Sequence, residues 1–197
     1  MLKPILLIAL LNVLSGFNLT DNRVAWVVLQ GSSLTVNGST NINTFQCDIA
    51  NYNRLDTIVC VKSKIKGLAV PMTGCLNLTI QAFDCHNRLM TSDLRKTLKN
   101  KDYPILTIKF VSINSFPDFK NPIKITGLVD ICLAGVNKRF EINYVFTTDD
   151  HDRLFLKGDQ SIHFSDFKLI APSKLGGVIK AKDELQVAFK LNLMALG

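Results

Sequence analysis

The chain reads as an all-β protein: an eight-stranded antiparallel β-barrel with one short capping helix. Three observations predict this. Beyond Ala25, apolar and polar residues alternate with period two over most of the sequence, the mark of half-buried strands. A single segment, residues 87–100, carries an apolar stripe at helical spacing instead. No internal repeat, low-complexity tract or Pro/Gly-rich linker divides the 197 residues, so one core must serve all the strands. Closing such a sheet on itself removes both unpaired edges, which favours a barrel over a sandwich.

The first sixteen residues stand apart from this pattern. Lys3 gives a positive start, Pro4 to Leu14 is apolar except for Asn12, and Ser15-Gly16 supplies small residues for cleavage. This is the layout of a secretory signal peptide, and it falls short of the roughly 20 apolar residues that a membrane span needs. The expected organisation is a signal peptide at 1–16 and one barrel domain at 17–197. Phe17 stands where a lipid-carrying cysteine would follow Leu14-Ser15-Gly16, so no lipid anchor is expected.

From Ser33 to Phe45, Leu34, Val36, Gly38, Thr40 and Ile42 share one face of a strand, with Asn37, Ser39, Asn41 and Asn43 on the other. Phe45 breaks that parity, which predicts a bulge near Thr44. Strands follow at Ile58–Ile65 and Leu76–Phe83. In the helix, Asn87–Asn100, the stripe is Leu89, Met90, Leu94 and Leu98. Ser92-Asp93 offers a cap or an early acid, Lys96, Lys99 and Lys101 suit the negative end of the dipole, and Tyr103-Pro104 ends the helix. The remaining strands are cleanly two-faced. Their inward sets are Leu106, Ile108 and Phe110; then Ile123, Ile125, Val129, Ile131 and Leu133; then Phe140, Ile142, Tyr144 and Phe146. Leu154, Leu156, Ile162 and Phe164 form the next, and Leu185, Val187, Phe189, Leu191 and Leu193 the last.

Catalytic chemistry has little to work with. Of three histidines, His151 lies in an Asp-rich turn and His163 on the outward parity of its strand. His86 follows Cys85 directly, but adjacent side chains rarely face each other and no third orienting group is near in sequence. Asp149, Asp150 and Asp152 lack the glycine and closing glutamate of a calcium loop. No phosphate-cradling glycine loop or GxSxG elbow occurs. The expectation is a non-enzyme without cofactor or metal. The five cysteines, Cys47, Cys60, Cys75, Cys85 and Cys132, lack zinc-site spacing, and their odd number leaves at least one outside any pairing within the chain. The formal charge is +7, but Lys62, Lys64, Lys66 and Lys180, Lys182 alternate with other residues as on a wet strand face. That favours edge protection over a nucleic-acid partner.

The inward sets hold Val, Ile, Leu and Phe almost without charge. An eight-stranded barrel is either just filled by its side chains or holds one small ligand. The pattern leaves both open. A guest would have to be apolar, since each buried methylene is worth about 0.8 kcal/mol and an unpaired polar group costs several.

Local motifs then add a likeness. Leu89-Met90-Thr91-Ser92-Asp93-Leu94, followed by Tyr103-Pro104-Ile105 and Ile108-Lys109-Phe110, resembles a helix-to-strand element of the YceI-like family of lipocalin-like, polyisoprenoid-binding periplasmic proteins. Gly135-Val136-Asn137-Lys138 is similar to that family's "GVTK" turn and Ser165-Asp166-Phe167 to its late "SDF" segment. Asn41 to Cys47 and Phe83-Asp84-Cys85 resemble a cysteine-bearing Bacteroidetes-type subgroup. Gly31-Ser32-Ser33 departs from the Asp and His-Ser that the family usually carries there. The resemblance implies an elongated lipocalin-like barrel capped by the helix, an isoprenoid lipid or quinone tail in its lumen, and Cys47 and Cys85 as disulfide partners. With the signal peptide, it implies a periplasmic or secreted protein; a monomer and a dimer both stay open. Inward parity and the helix stripe then nominate the tail-contacting residues: Val36, Ile42, Phe45, Leu94, Leu98, Ile108, Phe110, Ile131, Tyr144, Phe146, Phe164, Phe167, Leu169, Val187 and Phe189. Arg88 or Arg95 is the expected contact for a phosphate or quinone head.

Overall fold

The computed structural model describes residues 23–62, 68–119, 124–151 and 153–196. The expected signal peptide, Lys64, Ile65, Lys66, Ile123 and Asp152 lie outside them. In chain order the elements are β1 (Arg23–Thr40), β2 (Thr44–Tyr52), β3 (Thr57–Val61), β4 (Val70–Thr73), β5 (Cys75–Thr79), α1 (Arg88–Thr97) and β6 (Ile105–Ile113). After these come β7 (Lys124–Leu133), β8 (Val136–Thr148), β9 (Leu154–His163), the two-residue β10 (Ser173–Lys174) and β11 (Ile179–Leu196).

The sheet closes. Its path runs β1, β3, β4, β6, β7, β8, β9, β11, and β11 pairs back onto β1 from Ala25↔Leu196 to Thr40↔Ala181. Every pairing is antiparallel. The expected eight staves are there, two of them broken in the middle. A bulge after Leu29 divides β1, so Arg23–Val27 pairs with β3 while Ser32–Ser39 pairs with β2. Strands β2 and β3 thus make one stave between them. Strands β4 and β5 both pair with β6 and are separated by Gly74, whose φ is +120°. A Cβ there would lie 2.3 Å from the Thr57 carbonyl oxygen, so only glycine lets the stave bend against its neighbour.

The inward parities predicted for β7, β8, β9 and β11 are those observed: Val129, Tyr144, Phe146 and Leu156 are at most 2% exposed. Three sequence expectations change. The strand expected over Leu76–Phe83 ends at Thr79 and passes into a 3-10 turn, Ile80–Ala82. The strand expected to run from Ser33 to Phe45 is a hairpin. Asn41, Ile42 and Asn43 form its turn, because the Thr40 hydroxyl accepts hydrogen bonds from the Ile42 and Asn43 amides. Ile42 therefore sits at an exposed tip, not on an inward face. The helix cap is also elsewhere. Asn87, not Ser92 or Asp93, accepts from the amides of Leu89 and Met90 at 3.0 and 3.1 Å. Asn87→Ala is expected to lower stability by about 1 kcal/mol. Urea denaturation should show this as a lower midpoint with an unchanged slope.

One end of the barrel is stopped by rings. Trp26 lies 5.5 Å from Phe146 and 6.1 Å from Phe116, and Phe119 packs edge-on against Phe146. At the other end, α1 turns Thr91, Leu94 and Leu98 toward the core, and the short 3-10 segment Phe164–Phe167 buries both its phenylalanines.

Candidate functional site

Inside the barrel lies an apolar cavity bordered by residues from most of the staves. At one level the antiparallel register aligns Tyr144, Gly158, Phe189, Leu34 and Ile49 across four successive strand pairings. All of these except Gly158 line the cavity. Gly158 makes room for a ring: a Cβ there would fall 2.4 Å from Cζ of Phe189. Gly127 does the same for Tyr144, whose ring would stand 2.4 Å from an added Cβ. Two aromatic rings therefore lie against glycine backbone and are kept from filling the axis. Around them, Ile108, Phe110, Val129, Ile131 and Val187 complete an apolar wall. Among the described residues, no charged side chain lines the cavity.

The space is narrow. Only about 50 Å³ of it is wide enough for the centre of a water molecule. One water needs about 10–15 Å³ by that measure, so the interior as it stands has only the room of a few water molecules. A longer guest enters only if Phe110, Phe189 and their neighbours change rotamer.

A second cavity, about 250 Å³ by the same measure, opens at the helix-capped end. Ile42 and Phe45 of the hairpin, Leu89, Met90 and Leu94 of α1, and Phe164 line it. Lys174 and Asp93, paired at 2.6 Å, also border it. Cys47, in its wall, pairs in register with Val36, which pairs in turn with the lumen residue Val187. One residue, Val36, thus stands between the walls of the two spaces.

The segment leading into α1 is fastened to β2 in three ways. Cys47 and Cys85 form a disulfide, the pairing implied by the family resemblance. The backbones of Asp48 and Asp84 exchange hydrogen bonds of 2.7 and 2.9 Å. His86 Nε2 lies 2.9 Å from Asp48 Oδ2. Burial would raise the Asp48 carboxyl, but hydrogen bonds from Gln46, His86 and Thr35 prevail and hold it below its usual value. The bond to Asp48 raises the His86 imidazole above 6.5. The pair therefore stabilises the fold between the two titrations. Its contribution fades in acid as Asp48 protonates below 3.8, and again as the pH rises past 6.5 through the raised His86 value. The melting temperature is expected to fall over that upper range, and Asp48→Asn to flatten the dependence; scanning calorimetry at stepped pH reads both.

The nominated residues separate into three groups. Ile108, Phe110, Ile131, Tyr144, Val187 and Phe189 line the lumen. Ile42, Phe45, Leu94 and Phe164 line the second cavity, although Ile42 reaches it from a turn and is 66% exposed. Val36, Leu98, Phe146, Phe167 and Leu169 border neither space and are packed core. Phe146 belongs to the ring plug, and Phe167 packs on Phe140 at 5.9 Å. The arginines also fall elsewhere. Both border a groove on the outer side of α1, because Leu94 and Leu98 occupy its inward face, and Arg95 donates to the Phe83 carbonyl at 2.7 Å. The cation at the second cavity is Lys174.

Lumen residues absent from the nominated set are chiefly Leu34, Ile49, Tyr52, Leu76, Leu78, Val129, Ile142 and Leu191. Leu34, Val129, Ile142 and Leu191 each sit two residues from a nominated one, so parity could have found them. The Asp-rich turn is engaged internally, with Asp149 binding Arg153 at 2.6 Å. Cys60 is buried, which pushes its thiol up to about 12 and leaves it a poor nucleophile.

No protein-family model and no curated protein matches the chain by sequence. Solved structures do match it in fold. BcnA of Burkholderia cenocepacia aligns with TM-score 0.60 at 13% identity, over 82% of this chain and 95% of that one. A polyisoprenoid binding domain from Saccharophagus degradans, implicated in plant cell wall breakdown, aligns with TM-score 0.62 at 11% identity, over 88% and 99%. The shared architecture is the lipocalin-like barrel that the family resemblance implies.

Proposed function

We propose that the protein is a YceI-like, non-catalytic carrier that holds one isoprenoid-type lipid, a polyprenyl or quinone tail, in the barrel lumen. The observation that carries this reading is an uncharged apolar cavity walled by residues from most of the staves of a closed barrel. Such a wall offers a prenyl chain transfer free energy along its whole length and offers a charged solute nothing. The fold shared with a polyisoprenoid binding domain supports the same ligand class. The second cavity, with its Lys174–Asp93 pair, is the natural place for the end of a tail longer than the lumen. Export to an oxidising compartment is part of the proposal. It is supported by the signal-like start of the sequence and by the Cys47–Cys85 disulfide, a bond that reducing compartments disfavour.

The narrowness of the lumen favours a second reading, an interaction protein whose barrel is filled by its own side chains. Purification from the native host followed by organic extraction and mass spectrometry separates the two. The carrier yields a prenyl lipid near one per chain. A filled barrel yields none and takes up none when prenyl lipid is supplied.

A further inference from the structure

Tyr144 is out of keeping with the wall it belongs to. Two residues before and after it on β8, the inward positions are Ile142 and Phe146, both purely apolar. Tyr144 is 1% exposed and lines the lumen, and its hydroxyl is buried with no hydrogen-bond partner among the described residues. The other tyrosine of the lumen differs. The Tyr52 hydroxyl donates to Asp56 and accepts from the Asn77 amide. Gln160, also in the lining, donates to the Ser161 carbonyl at 3.0 Å. A buried hydroxyl left unpaired is unfavourable, and phenylalanine would fill the same space without that cost. The ring lies against Gly127 and edge-on to Phe189, 5.8 Å away.

Building on the carrier function proposed above, we infer that the Tyr144 hydroxyl is the polar anchor of the lumen and donates a hydrogen bond to an uncharged carbonyl oxygen of the guest. The ligand class narrows accordingly to neutral prenyl lipids of quinone or ketone type. A phosphate head does not fit at this depth, because no cation among the described residues lines the cavity to pair with it. Tyrosine supplies what a neutral carbonyl needs, one donor on an otherwise apolar body.

The test uses the whole protein and three probes: a prenyl quinone of about four isoprene units, squalene as an oxygen-free hydrocarbon, and geranylgeranyl phosphate. Wild type and Tyr144→Phe are titrated by calorimetry. The expected result is an about tenfold loss of quinone affinity in Tyr144→Phe, the worth of one hydrogen bond whose partner is stranded, with squalene unchanged. In the wild type, the infrared carbonyl band of bound quinone should move to lower wavenumber relative to quinone in hydrocarbon solvent, a readout that needs no variant. Equal quinone affinity in the two proteins with an unshifted carbonyl band overturns the inference and leaves the carrier reading standing, provided squalene binds. Tighter binding of the phosphate than of the quinone also overturns it. If neither squalene nor quinone enters the wild-type protein, the carrier reading falls and the inference falls with it.

Discussion

Val187→Trp is expected to weaken prenyl-quinone binding by about a hundredfold while leaving a folded barrel. Val187 is half-buried on the inward face of β11, and its side chain borders the lumen. The open space along the axis is so small that an indole there must exclude part of any guest. Keeping about four guest carbons out costs about 3 kcal/mol, or about two powers of ten in affinity. Overpacking strains the barrel by about 1–3 kcal/mol, which an ordinary domain survives. Gln186→Trp is the matched control, since that neighbouring position is exposed on the outer face. Titration calorimetry and circular dichroism on the three proteins give affinity and fold together. Wild-type affinity in folded Val187→Trp would put the guest outside the lumen.

Joint replacement of Cys47 and Cys85 by alanine is expected to cost up to about 4 kcal/mol of stability. The disulfide closes a loop with a sequence separation of 38, and the chain-entropy model gives a loss of that order for such a loop. The segment before α1 stays tethered by the Asp48–Asp84 backbone bridge and the His86–Asp48 pair, so the cap loosens and does not leave. Denaturant unfolding should show a lower midpoint, and reductant added to the wild type should reproduce most of it. Cys60, Cys75 and Cys132 are already thiols, so reductant acts on no other bond among the described residues. Lipid release should quicken in the same variant because Cys47 is in the wall of the second cavity. A change under about 1 kcal/mol would mean that the bridge constrains the unfolded chain little.

Most of the barrel was legible because strands with one dry and one wet face advertise their parity. Leu185 to Leu193 on β11 and Phe140 to Phe146 on β8 are the plainest cases, and their inward residues are buried or line the lumen. The first half of β1 was less readable. Val24-Ala25-Trp26-Val27-Val28-Leu29 is apolar on both faces, so no alternation marks Trp26 as the inward plug. The hairpin tip was hidden for the opposite reason. Ile42 continues the alternation of Leu34 and Val36 through a turn, and only the cluster Ser39-Thr40-Asn41 with Asn43 carried the turn chemistry. Parity could not tell lumen from core. Val36 and Val187 are register partners of the same inward sense, yet only Val187 borders the cavity. The difference lies in where Gly127 and Gly158 let rings fold back against the wall, a relation across strands that one strand's pattern does not contain. The anomaly of Tyr144 has the same origin: its sequence neighbours are ordinary, and only the packing leaves its hydroxyl without a partner.

Whether a guest occupies the axis of the barrel is read most directly by methyl NMR during titration with a prenyl quinone. Saturation at one molecule per chain is expected, with the largest shifts at Ile108, Val129, Ile131, Ile142 and Val187, which face the lumen from β6, β7, β8 and β11. Shifts confined to Ile42 and Leu89 at the helix-capped end, or none at all, would contradict a lumen that receives a lipid.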